Sequence, residues 1–217
     1  MNININKGIW DKDWYSKYIQ LQLQNHFPDG YSHKDELLIV IPKAIEKQFQ
    51  SLKFVRINSH QVFSHLHSDL YAQFLYFVSN IAWREGFLDL AQKTFYLNKS
   101  LHALNCSYST QLPDVFLFFH IVGTVLGKAD YSDYLVVNQN VTVGTNKNIT
   151  PRIGKGVMLR PNVSVIGNSD IGNFTSLSIN TTIFDESVPQ KSIVIGSSPN
   201  LIIKTAKRFL IEDVFYI

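Results

Sequence analysis

Cysteine is almost absent from the sequence, which has only Cys106 among its 217 residues. A single cysteine cannot form a disulfide within the chain, so a disulfide-stapled domain is excluded and a reducing compartment is expected. The N-terminal residues lack the apolar core of a secretory signal. The longest apolar runs, at 74–78 and 115–126, are too short or too polar for a transmembrane helix of about 20 residues. We therefore expect a cytoplasmic protein without a transmembrane segment.

Runs of five or six like charges are absent as well. The chain carries 20 Lys and Arg residues against 17 Asp and Glu residues. Nucleic-acid binding depends on counterion release by a clustered basic surface, so we do not expect this chain to bind nucleic acid. Hydrophobic residues make up 45% of the sequence and aromatic residues 13%, which is ample material for a core. The 15 Phe and 10 Tyr residues are interpreted as buried core and subunit interface.

The first part of the chain, residues 1–115, has apolar residues at helical spacing. Pro42 lies near the start of one predicted helix, and Gly86 lies just before another. The segment from Ser68 is strongly apolar and is predicted to be buried. The predicted helices span Asp11–Gln24, Leu37–Leu52, Ser68–Trp83 and Phe87–Leu104.

A strict six-residue period replaces the helical spacing in the second part, residues 116–217. Aliphatic residues recur at this interval at Ile153, Leu159, Val165, Ile171, Leu177 and Ile183. Small or β-branched residues stand four positions after the first five of these, at Val157, Val163, Ser169, Thr175 and Thr181. Upstream, the same phase places Ala129, Leu135 and Val141 at inward positions, and only Lys147 breaks it.

A period of six predicts a β-solenoid in which three short strands form each triangular coil. The aliphatic residue points inward and stacks on its equivalent in the next coil, while the small residue fits the corner. Backbone N–H and C=O groups are satisfied between neighbouring coils. The polar segment Gly144–Asn148 ends one inward series before the next begins. We expect it to protrude as a loop, and insertions of this kind often mark the binding face of a solenoid.

Several segments resemble the hexapeptide-repeat acyltransferases, in particular the serine acetyltransferase group. They are residues 120–127 (HIVGTVLG), 140–147 (NVTVGTNK), 152–168 (RIGKGVMLRPNVSVIGN) and 194–204 (VIGSSPNLIIK). The series Leu112-Pro-Asp114, His120 and Tyr131-Ser-Asp-Tyr134 is similar to a branch associated with bacterial capsule and surface polysaccharides. The resemblance implies an α + β fold, with an α-helical domain at 1–115 followed by a left-handed parallel β-helix at 116–217 that ends in a C-terminal tail.

The resemblance also implies transfer of acetyl from acetyl-CoA to a hydroxyl group, with His120 as the general base. A neutral imidazole can take the proton of the attacking hydroxyl and return it to the CoA thiolate, which contributes about 10²–10⁴-fold to the rate. Composition alone would favour a core histidine that ends the apolar run Val115–Phe119. The backbone N–H of Gly144 is a candidate donor to the oxyanion.

The group that orients the His120 ring stays open at this point. The family places an aspartate fifteen residues before its catalytic histidine, and that position is Asn105 here. An amide can accept a hydrogen bond from the ring, but it cannot stabilise an imidazolium by charge. Asp114, Asp133 and a backbone carbonyl are the alternatives.

Departures from the family bear on the acceptor. The charged residues that grip serine in the family correspond to Phe119, Ile149 and Thr150 in this chain. Because each lost partner would cost serine about 1–3 kcal/mol, we expect a carbohydrate acceptor, such as a capsular or surface polysaccharide or its precursor. Neutral side chains that a sugar could use are Tyr131, Tyr134, Asn138 and Gln139. Serine O-acetyltransferase activity is one alternative, and a non-catalytic β-helix scaffold is the other.

The resemblance further implies a homotrimer, with a dimer of trimers as a larger alternative, and CoA bound in a groove between subunits. The positions that match this groove are Gly144, Thr145, Arg160, Ser178, Ser198, Pro199 and Lys204. No metal is expected. His65 and His67 are two positions apart and so would not share a helix face. The metal-dependent β-helical relatives need three zinc-binding histidines, whereas the β-helix region has only His120.

Overall fold

The computed structural model describes residues 11–60 and 62–217. The N-terminal residues, in which we expect no secretory signal, lie mostly outside the described residues. Each predicted helix is present, with ends within three residues of the prediction. The helices are α1 (Lys12–His26), α2 (Lys34–Leu52), α3 (Ser68–Arg84) and α4 (Leu88–His102). Short 3₁₀ turns lie at Asn58–His60 and Leu210–Asp213.

Local chemistry sets the ends of these helices. The Asp11 side chain accepts hydrogen bonds from the backbone N–H groups of Asp13 and Trp14 and so caps α1. Ala103 ends α4 in a left-handed conformation. Pro42 removes one hydrogen bond inside α2. The helix continues because the apolar face of α2 packs into the core. No helix in the described residues is long and apolar enough to cross a bilayer.

Fifteen short strands follow the helices. The first six are β1 (Asn105–Cys106), β2 (Phe116–Phe119), β3 (Val125–Leu126), β4 (Asp130–Tyr131), β5 (Leu135–Asn138) and β6 (Thr142–Gly144). The remaining nine are β7 (Arg152–Ile153), β8 (Met158–Leu159), β9 (Ser164–Ile166), β10 (Asp170–Ile171), β11 (Ser176–Leu177), β12 (Thr182–Phe184), β13 (Ser187–Val188), β14 (Ser192–Ser197) and β15 (Asn200–Thr205).

The strands form a parallel solenoid of about five turns with three faces. Face A contains β2, β5, β8 and β11, face B contains β3, β6, β9 and β12, and face C contains β4, β7, β10 and β13. The long strand β14 pairs with both β11 and β12, and β15 folds back antiparallel on it to close the last coil. This architecture confirms the fold that the six-residue period predicts.

The inward series predicted downstream of the loop is confirmed. All six aliphatic residues from Ile153 to Ile183 are at most 1% exposed. Upstream of Ile153, the predicted inward positions were wrong by two residues. Strand register aligns Val137 with Leu159 and Val143 with Val165, so these residues take the inward positions in place of Leu135 and Val141, which are buried nearer the corners.

An insertion of four residues causes this shift of phase. Ten residues separate the inward Val143 from Ile153, whereas six separate Val165 from Ile171. The extra residues form a tight hairpin at the corner between faces B and C. Its ends, Asn146 and Ile149, exchange two backbone hydrogen bonds, and the two residues between them have positive φ.

The helical part docks on face A through a buried polar network. The Gln73 side chain of α3 donates to the carbonyl of Phe116 in β2 at 2.8 Å, and Ser51 of α2 donates to the same oxygen at 3.1 Å. The C-terminal residues return to this junction, where Val55 and Phe215 form an antiparallel bridge. Phe215 is fully buried, so the tail is part of the interface between helices and coils.

Candidate active site

His120 lies at the corner between faces A and B of the first coil. Phe119 pairs with Asn138 and Val125 pairs with Thr142 in the next coil. Val125 lies six positions after Phe119 in the first coil, whereas Thr142 lies four positions after Asn138 in the second. The first coil therefore has two extra residues at this corner, and they form a bulge at His120. The His120 backbone has φ of 53° and its side chain is exposed, which contradicts the alternative of a core histidine.

The carboxylate of Asp69 holds this corner in place. Its two oxygens accept hydrogen bonds from the backbone N–H groups of His120 (2.9 Å) and Ile121 (3.2 Å). Asp69 is 4% exposed and lies in the first turn of α3, where the helix dipole favours a negative charge. Burial acts to raise the pKa of Asp69, but the nearby His60 ring and the two N–H groups outweigh it and lower the pKa. The carboxylate is therefore ionised at neutral pH.

Of the three side chains proposed to orient His120, two lie at the other end of β2 and the third lies beside the start of β3. Asp114 pairs with Lys47 at 2.7 Å, and Asp133 accepts the backbone N–H of Val115 at 3.0 Å. Both are therefore at the start of β2, whereas His120 follows its end. Asn105 lies on β1, where its backbone N–H donates to the carbonyl of Thr124. In the described part of the chain, no hydrogen bond joins any of these side chains to the His120 ring.

Two histidines gather beside Asp69. The Nε2 atom of His60 lies 3.7 Å from Oδ2 of Asp69, and the rings of His60 and His67 are 4.5 Å apart between centroids. Burial is the main cause that lowers the pKa of His67, and the neighbouring His60 acts in the same direction, whereas the charge of Asp69 opposes the shift. Phe119 packs on the His60 ring, with centroids 4.8 Å apart. The corner of His120 thus adjoins a histidine pair that the sequence did not suggest.

Two of the proposed acceptor-binding residues are placed away from His120. Tyr131 pairs with the inward Ile153, and its hydroxyl donates to the carbonyl of Gly127 at 2.9 Å. Burial raises the pKa of Tyr131 well above the usual range. Tyr134 packs against Phe54 and Phe215 at the junction with the helices. Both rings pack against the interior, so the structure places neither of them beside His120.

Asn138 and Gln139 lie next to the His120 corner. Asn138 is in register with Phe119, and neighbouring strands are about 4.8 Å apart. Its side chain donates to the carbonyl of Leu159 at 2.9 Å. The Oε1 atom of Gln139 is buried without a hydrogen-bond partner among the described residues. Gln139 therefore has an unsatisfied buried oxygen just after the end of β5.

The positions expected to bind CoA fall into separate groups around face B. Arg160 and Ser178 directly follow the face A strands β8 and β11, near the corner of His120. Gly144 and Thr145 lie at the opposite corner, beside the hairpin. Ser198 shares the Gly144 side, because its hydroxyl accepts the backbone N–H of Phe184 at 3.1 Å, and a cis peptide bond joins it to Pro199. Lys204 lies apart on β15, where it pairs with Ile193.

A row of hydroxyl groups runs along face B between these two corners. Thr142, Ser164, Thr182 and Ser197 are in register on successive strands. They flank the inward residues of these strands and are partly or fully exposed. The sequence carries a signal for this row, because the hydroxyls recur beside the inward series.

A groove of about 630 Å³ lies along face C, away from His120. It is lined by strand residues of β4, β7, β10 and β13, among them Arg152 and Asp170, which form an ion pair at 3.2 Å. None of the residues proposed for catalysis or CoA binding lines it. The chemistry at His120 therefore marks the better candidate site.

Comparisons with known proteins support the fold. No protein-family model matches the chain, and no curated protein matches it in sequence. A serine acetyltransferase from Vibrio cholerae is 19% identical, with 89% of this chain and 79% of that chain covered and a TM-score of 0.72. One from Neisseria gonorrhoeae is 17% identical, with coverage of 89% and 80% and a TM-score of 0.71.

A serine acetyltransferase in complex with CoA is also similar. It is 15% identical, covers 92% of this chain and 100% of its own, and has a TM-score of 0.66. At these identities the likeness is one of fold. The chain therefore has the fold of the serine acetyltransferases, in which helices precede a left-handed parallel β-helix.

Proposed function

We propose that this protein is an acetyl-CoA-dependent O-acetyltransferase in which His120 is the general base. The observation that carries the proposal is the exposed imidazole at a corner that the buried Asp69 holds through two backbone hydrogen bonds. The same fold occurs in serine acetyltransferases, including one in complex with CoA. An accessible imidazole on a turn that is held in place suits proton transfer to and from a bound substrate.

In the proposed reaction, a ring nitrogen of His120 takes the proton of the acceptor hydroxyl as its oxygen attacks the thioester carbonyl. The tetrahedral intermediate collapses with loss of the CoA thiolate, which receives the proton from the imidazolium. The oxyanion requires a hydrogen-bond donor, and the backbone N–H of Gly144 remains our candidate. Gly144 and His120 lie at opposite corners of face B, so the donor and the base would come from different subunits.

The homotrimer that we propose follows from this arrangement. A site between subunits joins the His120 corner of one chain to face B or the hairpin corner of another. Exposed apolar side chains near these corners supply material for such an interface: Val122 and Ile179 are each 60% exposed, and Phe184 is 49% exposed. CoA would lie in this groove, with Arg160, Ser178 and the hydroxyl row of face B along its course. The pairing of two trimers through the helices is the larger assembly to test.

Two acceptor classes compete. The similar structures are serine acetyltransferases, which supports L-serine as the acceptor. The residues at the positions of the family's serine-binding charges favour a neutral acceptor such as a sugar hydroxyl, because Phe119 is packed on His60 and Ile149 is an exposed aliphatic residue of the hairpin. Asp69 is only 4% exposed, so its carboxylate is not open to the ammonium group of serine. Asn138 and Gln139, on the coil next to His120, remain our candidates for contacts with a sugar.

The test is an acetyl-transfer assay with labelled acetyl-CoA, offered L-serine in one arm and purified bacterial surface glycans in the other. We expect His120→Ala to lower turnover on the preferred acceptor by at least about 10²-fold, with nearly unchanged CoA binding. His26→Ala, at an exposed histidine of α1, is the matched control and should keep full activity.

Each other outcome has a definite meaning. Turnover of L-serine at a higher kcat/KM than any glycan would make serine the acceptor. CoA binding without transfer to any acceptor would support the non-catalytic scaffold instead. Near-normal turnover by His120→Ala would remove His120 from the mechanism.

A further inference from the structure

Two buried ring nitrogens beside Asp69 have no hydrogen-bond partner among the described residues. They are Nε2 of His60 and Nδ1 of His67. His60 is only 6% exposed, so water does not freely satisfy its ring. An unsatisfied buried polar atom costs about 1–3 kcal/mol, so two of them that converge on one carboxylate require an explanation.

The three side chains form a compact set of donor atoms. One atom from each of His60, His67 and Asp69 lies within 4.8 Å of the other two. His60 Nε2 and Asp69 Oδ2 are 3.7 Å apart. A tetrahedral zinc ion with ligand bonds of about 2.0–2.2 Å holds its donor atoms roughly 3.3–3.5 Å apart. A small rotation of the rings would therefore close the set around such an ion.

We propose that His60, His67 and Asp69 bind a divalent transition-metal cation of the zinc class through His60 Nε2, His67 Nδ1 and Asp69 Oδ2. Two imidazoles and one carboxylate are a ligand set that zinc accepts, and three protein ligands leave a fourth position for water or a substrate atom. The site does not depend on the acetyltransferase proposal.

The surroundings of the ligands fit this role. The second ring nitrogen of His60 contacts the Ser59 hydroxyl at 2.9 Å, a bond that orients a metal-binding imidazole. The Asp69 carboxylate is oriented by the N–H groups of His120 and Ile121. His67 is only partly buried, which gives an ion a path from solvent. Through Asp69, a bound cation would be connected to the turn that carries His120.

A hydrogen bond between the two rings is the competing explanation. It would satisfy one nitrogen of the pair with the proton of the other, and no ion would be needed. The two explanations differ in a direct observable, because only the first predicts saturable metal binding that requires both histidines.

The test uses untagged full-length protein that has been treated with a chelator and then titrated with CoCl₂, followed by competition with ZnCl₂. We expect one equivalent of Co²⁺ per chain to give the visible absorption of a tetrahedral site, and Zn²⁺ to displace it. His60→Ala and His67→Ala should each weaken binding by more than about 10-fold. His65→Ala, in the same segment but directed at Trp14 and Tyr18, should bind as the wild type does.

Zinc should also raise the midpoint of thermal unfolding of the wild type and of His65→Ala, but not that of His60→Ala or His67→Ala. The wild-type titration decides the question even if a variant fails to fold. Absence of saturable Co²⁺ and Zn²⁺ binding by the wild-type protein would overturn the site, as would equal affinity in the folded His67→Ala variant.

Discussion

At the scale of single residues, Asp69 connects the helical part to the candidate active site. It lies 51 residues before His120 in the sequence, yet it accepts the backbone N–H groups of His120 and Ile121. His120 has a positive φ, which a residue with a side chain adopts at a cost. The two hydrogen bonds that these N–H groups donate to a buried ionised carboxylate offset this cost, so Asp69 is a positioning residue for the turn that carries the imidazole.

We predict that Asp69→Asn lowers kcat by about 10–100-fold while the KM for acetyl-CoA changes little. The amide can accept only one of the two N–H groups, and its own NH₂ would face the other. The His120 turn would lose its fixed position, and displacement of a base by about 1 Å has an effect of this size. Steady-state kinetics of the purified variant measure both constants.

Asp133→Asn is the matched control for this prediction. Asp133 makes a bond of the same kind, with the N–H of Val115, at the other end of the same strand. Its variant should keep a kcat close to that of the wild type. An equal loss of kcat in both variants would mean that Asp69 acts only through general stability.

The sequence could identify His120 but not the residues that support it. His120 stands inside a local motif with a glycine-containing turn, and such a motif is visible in consecutive residues. Asp69 and His60 reach the site only after α3 packs along β2, a contact that no local pattern encodes. In the sequence His67 stands two positions from His65, whereas in the structure its ring contacts that of His60.

At the scale of elements, the corners between faces A and B are held by a ladder of asparagines. The Asn140 side chain donates to Asn162 at 3.1 Å, and Asn162 donates to Asn180 at 2.8 Å. All three have φ between 55° and 62°, a conformation that asparagine tolerates better than most residues. Gly123 takes the equivalent place in the first coil, where an added Cβ would come 2.2 Å from Oδ1 of Asn140.

We predict that Asn162→Ala lowers the free energy of unfolding by about 2 kcal/mol. The alanine must adopt the left-handed conformation, and both side-chain bonds of the ladder are lost. Asn162→Gly loses the same bonds without the steric cost of a Cβ, so we expect a smaller loss of about 1 kcal/mol. Urea unfolding of the three proteins measures these differences. A loss in the glycine variant that equals or exceeds that in the alanine variant would contradict the role of backbone conformation.

The six-residue period illustrates what a pattern of elements can and cannot predict. It identified the inward series after Ile153, because each coil there has the same length. Before the hairpin, the period placed the inward series two positions away from its true place, because a repeat pattern does not predict how many residues an insertion adds. The helices were predicted well, since their apolar spacing reflects burial on one side against a common core.

At the scale of the whole molecule, stability should depend on pH through the buried His102. This residue ends α4, and its Nδ1 bonds Oδ1 of Asn98 at 2.8 Å. Burial lowers the pKa of His102 from 6.5 to about 4, although the charge of Asp69 opposes the shift. The unfolded chain protonates this ring as the pH falls through about 6.5, whereas the folded chain resists protonation until about pH 4. The stabilising contribution is therefore complete above pH 6.5 and is lost as the pH falls toward 4.

We predict that the free energy of unfolding decreases by about 2 kcal/mol from this group alone between pH 7.5 and pH 5, since each pH unit below 6.5 contributes about 1.4 kcal/mol. Other groups also titrate over this range, so the relevant quantity is the difference between variants. His102→Gln, which can keep a bond to Asn98, should show a decrease smaller by that amount in urea unfolding at the two pH values. His26→Gln, at an exposed site, should follow the wild type. If His102→Gln loses as much stability as the wild type does, the buried ring is not the source of the acid sensitivity.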